Sequence, residues 1–455
     1  MGNDISRREF LKISGAGAIG VAAAACASGR GGQQEPVSGQ PQEQGTMEMR
    51  TNPGNGDKVS LLGYGCMRWP MVKDDSGRDV IDQQKVNELI DYAMKHGVNY
   101  YDTSPAYLQG QSERATGIAL SRYPRKSFYI ATKLSNFGDA SAAASQKMYH
   151  DSFDEMQTDY FDYYLMHAIG QGGVAAFEKR YVDNGMMDFV MKEREKGKIR
   201  QMGFSFHGSP SEFDELIGLH SRYHWDFVQI QMNYVDWRHA DGVSNANAEY
   251  LYDKLVSLNI PITVMEPLQG GRLANVPDNI AAMLKERDPQ ATLGSWAFRF
   301  VGSHPGILTT LSGMTYMEHL VDNVDTFTGF RYMTDEELEM MERAATLIKE
   351  YPTVNCNDCK YCMPCPYGLN IPEIFKHYNS AVNEGLIAQS SAQEDFRRLR
   401  KAYLTGYAKA VPAERQADHC IGCRKCMSHC PQRINIPAQM QRIDRYVEKL
   451  KRGDF

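Results

Sequence analysis

Val98-Asn99-Tyr100-Tyr101-Asp102-Thr103-Ser104-Pro105-Ala106-Tyr107 is a short apolar run that breaks abruptly into polar residues. A run of this length, rich in β-branched and aromatic residues, reads as a buried strand followed by a loop. The same shape recurs at Leu61–Cys66, Phe128–Thr132, Phe161–Met166, Arg200–Ser205, Phe227–Ile230, Ile260–Met265 and Ile307–Ser312, giving eight runs in all. Helical patterns separate them. In the clearest, Asp82 stands at the N-cap, Val86, Leu89, Ile90, Ala93 and Met94 share one face, and Gly97 closes the helix. Eight strands alternating with helices over roughly 250 residues predict an α/β fold of the (β/α)8 TIM-barrel type. A doubly wound open sheet is the competing layout. It usually carries a glycine-rich phosphate loop after the first strand, and Gly63-Tyr64-Gly65-Cys66 lacks the third glycine and the following helix.

Chemistry in such barrels collects at the C-terminal ends of the strands. Strand two ends in Asp102 and leads to Tyr107, strand three ends in Ala131-Thr132-Lys133, and strand four ends in Leu165-Met166-His167. These ends are expected to face one another across the mouth. A carbonyl reduced by hydride becomes an alkoxide and needs a proton at once, and a tyrosine supplies it if its pKa falls from about 10. Lys133 as a nearby cation would lower it, Asp102 would hold Lys133 charged, and His167 would orient the carbonyl oxygen.

With these residues the barrel resembles the aldo-keto reductases, whose tetrad is Asp, Tyr, Lys and His in this order. Asp102, Tyr107, Lys133 and His167 match those roles, including the five-residue step from Asp to Tyr. The hairpin-like opening Asn52–Leu62, the Ser112-Glu113 pair and Gly203-Phe204-Ser205 fit as well. The resemblance implies a small carbonyl or alcohol substrate and a nicotinamide cofactor, NAD(P)H, across the barrel mouth. Ser205 and Gln229 would hold the carboxamide, and Asp322 and Asn323 would lie near the adenine. The chain departs from the family at three sites. Phe206-His207 stand where Asn usually follows the strand-five Ser, and Met265 replaces the stacking aromatic before Glu266-Pro267-Leu268. Gly313 and His319 stand where Lys and Arg usually bind the 2′-phosphate. A phosphate without such donors loses its strong charge-assisted bonds, so NADP and NAD both stay open.

The cysteines define a second domain. Ten are present, and eight fall between Cys356 and Cys430. Disulfides would be spread over the fold they staple, so clustering at one end points to metal. The runs are Cys356-x2-Cys359-x2-Cys362-x2-Cys365-Pro366 and Cys420-x2-Cys423-x2-Cys426-x3-Cys430-Pro431. The second has the bacterial ferredoxin spacing, and the first is one residue short in its last gap. Asn-Ile-Pro follows each run, at Asn370 and Asn435, marking an internal duplication. Zinc prefers two separated pairs of ligands, so the runs are read as two 4Fe–4S clusters. The domain resembles an α-helical dicluster ferredoxin. That resemblance implies exchanged fourth ligands: Cys365 with Cys420, Cys423 and Cys426, and Cys430 with Cys356, Cys359 and Cys362. Cys66, at the end of strand one, reads as a small barrel residue rather than a ligand.

At the other end, Ser6-Arg7-Arg8-Glu9-Phe10-Leu11-Lys12 before the apolar stretch Ile13 to Ala25 resembles a twin-arginine export signal. Ala25-Cys26-Ala27 reads as a cleavage site or, with Ala24, as a lipoprotein box that would lipidate Cys26. Residues 28–48 are rich in Gly, Gln, Ser and Pro and read as a flexible linker. The expected organisation is therefore a signal over 1–27, a linker over 28–48, the barrel over 49–345 and the ferredoxin-type domain over 346–455. The product would be periplasmic, or anchored on the outer side of the cytoplasmic membrane. No stretch of about 18 strongly apolar residues offers an ordinary spanning helix. The chain has 455 residues, 50 Lys plus Arg against 56 Asp plus Glu, a net charge of −6 and no long basic run, which excludes nucleic-acid binding by bulk charge.

Two functional readings follow. One is an exported oxidoreductase that couples carbonyl or alcohol hydride chemistry to one-electron transfer with a redox partner. The other is an iron-sulfur electron-transfer protein whose barrel is a non-catalytic docking scaffold. The intact tetrad favours the first, and the eroded 2′-phosphate positions favour the second.

Overall fold

The computed structural model describes residues 45–455, apart from 171, 243, 244 and 454. The twin-arginine stretch, Cys26 and most of the 28–48 segment lie outside the described residues. The chain has already entered the fold at Met47, which is buried and bridges to Thr328, while Gly329 donates to the Thr46 carbonyl.

Eight parallel strands close into a barrel in sequence order: β1 (Leu62–Gly65), β2 (Tyr100–Asp102), β3 (Tyr129–Leu134), β4 (Phe161–Ile169), β5 (Ile199–Phe206), β6 (Phe227–Gln231), β7 (Ile262–Met265) and β8 (Ile307–Ser312). β8 pairs with β1, Thr310 opposite Leu62. The (β/α)8 expectation is met, with strand starts that shift for local reasons. Val98 donates to the Ala93 carbonyl and so belongs to the end of the preceding helix. Pro261 has no N–H to give a ladder, and β7 begins after it.

That preceding helix, α1 (Gln83–Lys95), starts where Asp82 accepts from the Lys85 amide at 3.1 Å. It buries Val86, Leu89, Ile90 and Ala93 and ends at Gly97, whose φ is +86°. Inside the barrel, Tyr100, Ala131, Tyr163, Leu165, Phe227, Leu308 and Leu311 pack together. Val59 closes the bottom of this core from the hairpin Met49–Thr51 / Lys58–Ser60. The interior is thus a filled core, and only the C-terminal mouth is open to ligands.

The last barrel helix, α2 (Asp335–Glu350), packs Ala344, Ala345 and Ile348 into the barrel's outer core. The chain then forms three helices, α3 (Ile371–Asn383), α4 (Phe396–Ala410) and α5 (Ile436–Arg452). Ile374, Phe375, Tyr378, Leu399, Tyr403, Ile443, Val447 and Leu450 give them a core of their own. α3 and α5 both open on Asn-Ile-Pro, with proline in the first turn where its missing N–H costs nothing. No helix among the described residues is long and apolar enough to cross a membrane.

Candidate active site

The tetrad side chains come together at the barrel mouth. Asp102 ends β2, opposite Gly65 on one side and Ala131 on the other. Lys133 is completely buried and places Nζ 2.5 Å from Asp102 Oδ1 and 2.8 Å from the Thr103 carbonyl. Gln229 donates to the other Asp102 oxygen at 3.2 Å. Burial pushes Lys133 down and Asp102 up, and their mutual attraction opposes both shifts. The Lys133 ammonium lies 5.0 Å from the centre of the Tyr107 ring, and the Tyr107 and His167 rings meet edge to face at 5.9 Å.

The Tyr107 phenol is pushed up, not down as the sequence reading expected. Burial is the main cause, and Asp102, Tyr361, Cys66 and Glu266 add to it. The phenol therefore holds its proton. His167 is driven well below the usual histidine range by burial, with Lys133, Arg180 and His207 acting the same way. Its Nδ1 lies 2.5 Å from the Ser135 hydroxyl and 3.3 Å from that of Ser104, and these two hydroxyls contact each other at 2.8 Å.

Backbone strain gathers at the same place. Leu108 and Gln109 after Tyr107, Ala168 after His167 and Glu266 after Met265 all have left-handed φ between 48° and 61° without being glycine. Such residues persist only where their surroundings over-determine them, which is common at binding and catalytic sites.

A cleft of about 810 Å³ runs from the tetrad across the mouth. Asp102, Tyr107, Gln229, Met265, Gly313, Asp322 and Asn323 line it. Thus five of the six residues expected to bind a nicotinamide share one cavity with half of the tetrad. Ser205 is the exception. Its hydroxyl accepts from the Ala168 amide at 2.8 Å, tying β5 to β4, and it does not line the cleft. The volume is within the range of ligand clefts, about 300–1,000 Å³. Asn323 donates to Ser312 at 2.9 Å, and Asp322 accepts from Thr292 at 3.0 Å, so both are held in place. The donor set and size fit a nicotinamide dinucleotide. Gly313 has no side chain, and Arg68 lies in the space one would fill.

The cysteine domain roofs this cleft. The Asn357 side chain donates to Glu266 Oε1 at 2.6 Å, and the Asn357 carbonyl accepts from Arg68 at 2.6 Å. Gly270, at φ +69°, lets that carbonyl approach so closely that a Cβ there would lie 2.0 Å from it. Arg272 reaches Asn355 and Thr353, and Gln432 joins Gln231 and Asn245. Arg68, Glu266, Ser135, Asn357 and Tyr361 are therefore parts of the site that the sequence reading did not single out. Ser135 had a signal, being two residues beyond Lys133, just past the end of β3. Asn357 and Tyr361 had none, because they arrive from another domain.

The eight clustered cysteines are free thiols in two interleaved sets. Cys365, Cys420, Cys423 and Cys426 line one small cavity with Leu369, Ile371, Ile436 and Met440. Burial pushes Cys426 up to about 11, and the neighbouring Cys420, Cys423 and Cys365 add to the shift. Burial likewise pushes Cys356 up to about 11 and Cys362 up to about 12, and Cys430 raises both. Cys359 is raised by burial, then by Cys430, Glu266 and Cys356. Each set mixes cysteines of both runs. Among the described residues no three His, Cys, Asp or Glu side chains are placed to share one metal ion. Four thiolates on the four irons of a cubane do not need to share one. The donors fit 4Fe–4S chemistry. Cys66 is separate, fully buried in the barrel with its thiol toward the Tyr64 carbonyl.

Comparison with known proteins agrees with this geometry. The aldo/keto reductase family matches residues 61–346, and a 4Fe-4S dicluster domain matches residues 355–435. The chain is 26% identical to the L-galactose dehydrogenase of Arabidopsis thaliana over 324 residues, which is 66% of this chain and 94% of that protein. It is 22% identical to the uncharacterized oxidoreductase YqkF of Bacillus subtilis over 314 residues, 62% of this chain and 92% of that one. Among solved structures, the holo form of the aldo-keto reductase AKR11C1 from Bacillus halodurans superimposes with a TM-score of 0.52 at 22% identity, covering 66% of this chain and 96% of that one. An aldo-keto reductase from Klebsiella pneumoniae in complex with NADPH gives 0.51 at 20% identity, covering 66% and 94%. These likenesses concern the barrel, and at such identities they show its fold.

Proposed function

The chain belongs to the aldo/keto reductase family, and from that premise we propose that it reduces or oxidises a small carbonyl/alcohol pair at the barrel mouth with a nicotinamide, in electrical contact with two 4Fe–4S clusters that exchange electrons with a redox partner. The observation that carries this reading is the shared cleft: Tyr107, Gln229, Asn323 and Cys356 all line it. When bound, a nicotinamide would supply or remove a hydride; exchange of its two electrons with two one-electron clusters would release or take up one proton and would require stepwise transfer or an intermediate carrier that handles both one and two electrons.

The chain's own residues do the rest. Tyr107, kept protonated by burial, donates to the carbonyl oxygen as negative charge develops there. The phenolate left behind faces the Lys133 ammonium, which stabilises it, and Asp102 fixes that ammonium from below. His167 stays neutral, accepts at Nδ1 from Ser135 and turns Nε2–H toward the substrate oxygen. The roof over the mouth excludes water and strengthens each of these contacts.

Two clusters, ligated as the interleaved sets are arranged, imply about eight iron and eight sulfide per chain. Anaerobic iron and sulfide analysis tests this, and half that amount, or zinc, sinks it. Export by the twin-arginine route, which carries folded proteins, accords with cluster insertion before transport. Periplasmic location, or anchoring through a lipid on Cys26, belongs to the same proposal and is tested by fractionation and mass analysis of the mature N-terminus. The scaffold reading is opposed by a tetrad whose Asp102, Lys133 and His167 are each held by hydrogen bonds beside Tyr107.

A further inference from the structure

The cations of the cleft are unequally engaged. From the barrel wall come Arg68 and Arg272. Arg68 spends its guanidinium on the Asn357 carbonyl and on Asp358 at 3.4 Å. Arg272 spends its own on Gln269, Asn355 and Thr353. The β8 loop adds only Gly313 and His319. The cysteine domain adds Lys360 and Lys376, which line the same cavity, are exposed, and whose side chains have no hydrogen-bond or ion-pair partner among the described residues.

Lys376 is placed there by helix geometry. Pro372, Glu373, Lys376, Asn379, Ser380 and Asn383 recur at three- and four-residue steps and form the stripe of α3 that lines the cleft. The opposite stripe, Ile374, Phe375, Tyr378, Ala381 and Val382, is buried in the domain's own core. Asn383 pins the end of the helix by donating to the Asn275 carbonyl at 2.6 Å. Lys360 is fixed by its loop, with φ at 64° between Cys359 and Tyr361. A polar helix face carrying an unpaired cation over a deep cleft is an arrangement for an anion.

We propose that Lys360 and Lys376 hold the phosphate groups of the dinucleotide, so that the cysteine domain supplies the charge that the β8 loop lacks and the cofactor site is built from both domains. This rests on the nicotinamide reading above. It identifies the class of ligand group as a nucleotide phosphate and makes cofactor affinity depend on a domain outside the barrel.

The test is fluorescence titration of NADH and NADPH, separately, into the anaerobic full-length holoprotein. Lys376→Gln is expected to weaken binding about tenfold or more, the usual scale of a lost charge-assisted bond, and Lys376→Glu more. Lys360→Gln is expected to act in the same direction. Lys349→Glu makes the same charge change on an exposed residue outside the cleft and is expected to leave affinity unchanged. Cluster absorbance is expected to match the wild type in the Lys376 variants. Wild-type binding that Lys376→Glu leaves unaltered would overturn the proposal while leaving the nicotinamide reading intact. Equal weakening by Lys349→Glu would overturn it too, as a general charge effect. A wild type that binds neither nucleotide removes both readings.

Discussion

The two ends of the cleft are built differently. At the tetrad end the charged and imidazole groups find their partners within the barrel: Lys133 with Asp102 and Thr103, Asp102 also with Gln229, and His167 with Ser135. At the far end the barrel offers Gly313, His319 and a pair of carefully held acceptors, Asp322 and Asn323, and the free cations come from across the cleft. The difference teaches that the reaction centre is complete within the barrel, whereas holding the cofactor is shared with the cysteine domain. A change at one end should therefore affect the chemical step alone, and a change at the other should affect binding alone.

The largest expected effect separates the two ends outright. Tyr107→Phe removes only the phenol proton and is expected to lower carbonyl reduction about 10²–10⁴-fold. Nucleotide affinity and cluster spectra should be preserved. Steady-state rates alongside fluorescence titration check this, and unchanged turnover would reject Tyr107 as the acid.

Glu113 sharpens the account of the tetrad end. It is buried, accepts from Thr132 and Ser152, and is pushed up to about 7 by burial. The folded protein thus holds a proton that the unfolded chain releases near pH 4.5. The stability it contributes is present at low pH and is lost as pH rises through 7. The loss is of the order of 3 kcal/mol at 1.36 kcal/mol per unit. Glu113→Gln should remove that alkaline loss, so the gap between wild-type and variant melting temperatures should change between pH 5 and pH 8.5. An identical pH profile in both proteins would show that Glu113 is not the group concerned. His207, pushed down to about 4 by burial, works oppositely. Its contribution is lost as pH falls below about 6.5, which leaves the wild-type profile flatter than either group alone would make it.

The next effect breaks the junction between the ends. Gly270→Ala places a Cβ where the Asn357 carbonyl lies, at a positive φ. Overpacking of this kind costs about 1–3 kcal/mol. The variant should melt earlier and bind nucleotide more weakly, while its intrinsic Tyr107-dependent step at saturation changes little. A variant with wild-type melting and affinity would mean that the two domains do not need this contact.

The smallest effect concerns cofactor choice. Gly313 and His319 supply no guanidinium fork for a 2′-phosphate, and exposed lysines act as screened point charges. The preference for NADPH over NADH is expected to stay under about a hundredfold, since charge-assisted bonds contribute about 1.5–3 kcal/mol each, and to shrink with added salt. Dissociation constants at two ionic strengths decide it.

How much of this was legible follows the same division. The tetrad was readable because Asp102, Lys133 and His167 lie at or near the C-terminal ends of successive strands, so sequence order fixes their proximity. The sign of the Tyr107 shift was not, because it is set by burial, with Asp102, Tyr361, Cys66 and Glu266 acting the same way, and Tyr361 comes from the other domain. The family resemblance puts Ser205 at the carboxamide, and its hydroxyl also accepts from the Ala168 amide, a cross-strand detail that no spacing reveals. The cysteine runs were readable from their steps alone. The docking of their loops on the mouth, and with it Lys360 and Lys376, depends on Gly270 and Asn357 meeting across 87 residues of chain.

The central claim is that a nicotinamide bound at the tetrad communicates with the clusters. Anaerobic titration of the reconstituted full-length protein with NADH or NADPH, following nicotinamide fluorescence and visible cluster absorbance together, tests it most directly. The account predicts saturable binding at a single site and bleaching of the cluster absorbance that tracks it. Clusters that respond to a chemical reductant while neither nucleotide binds or bleaches them would contradict it and leave the barrel as a scaffold.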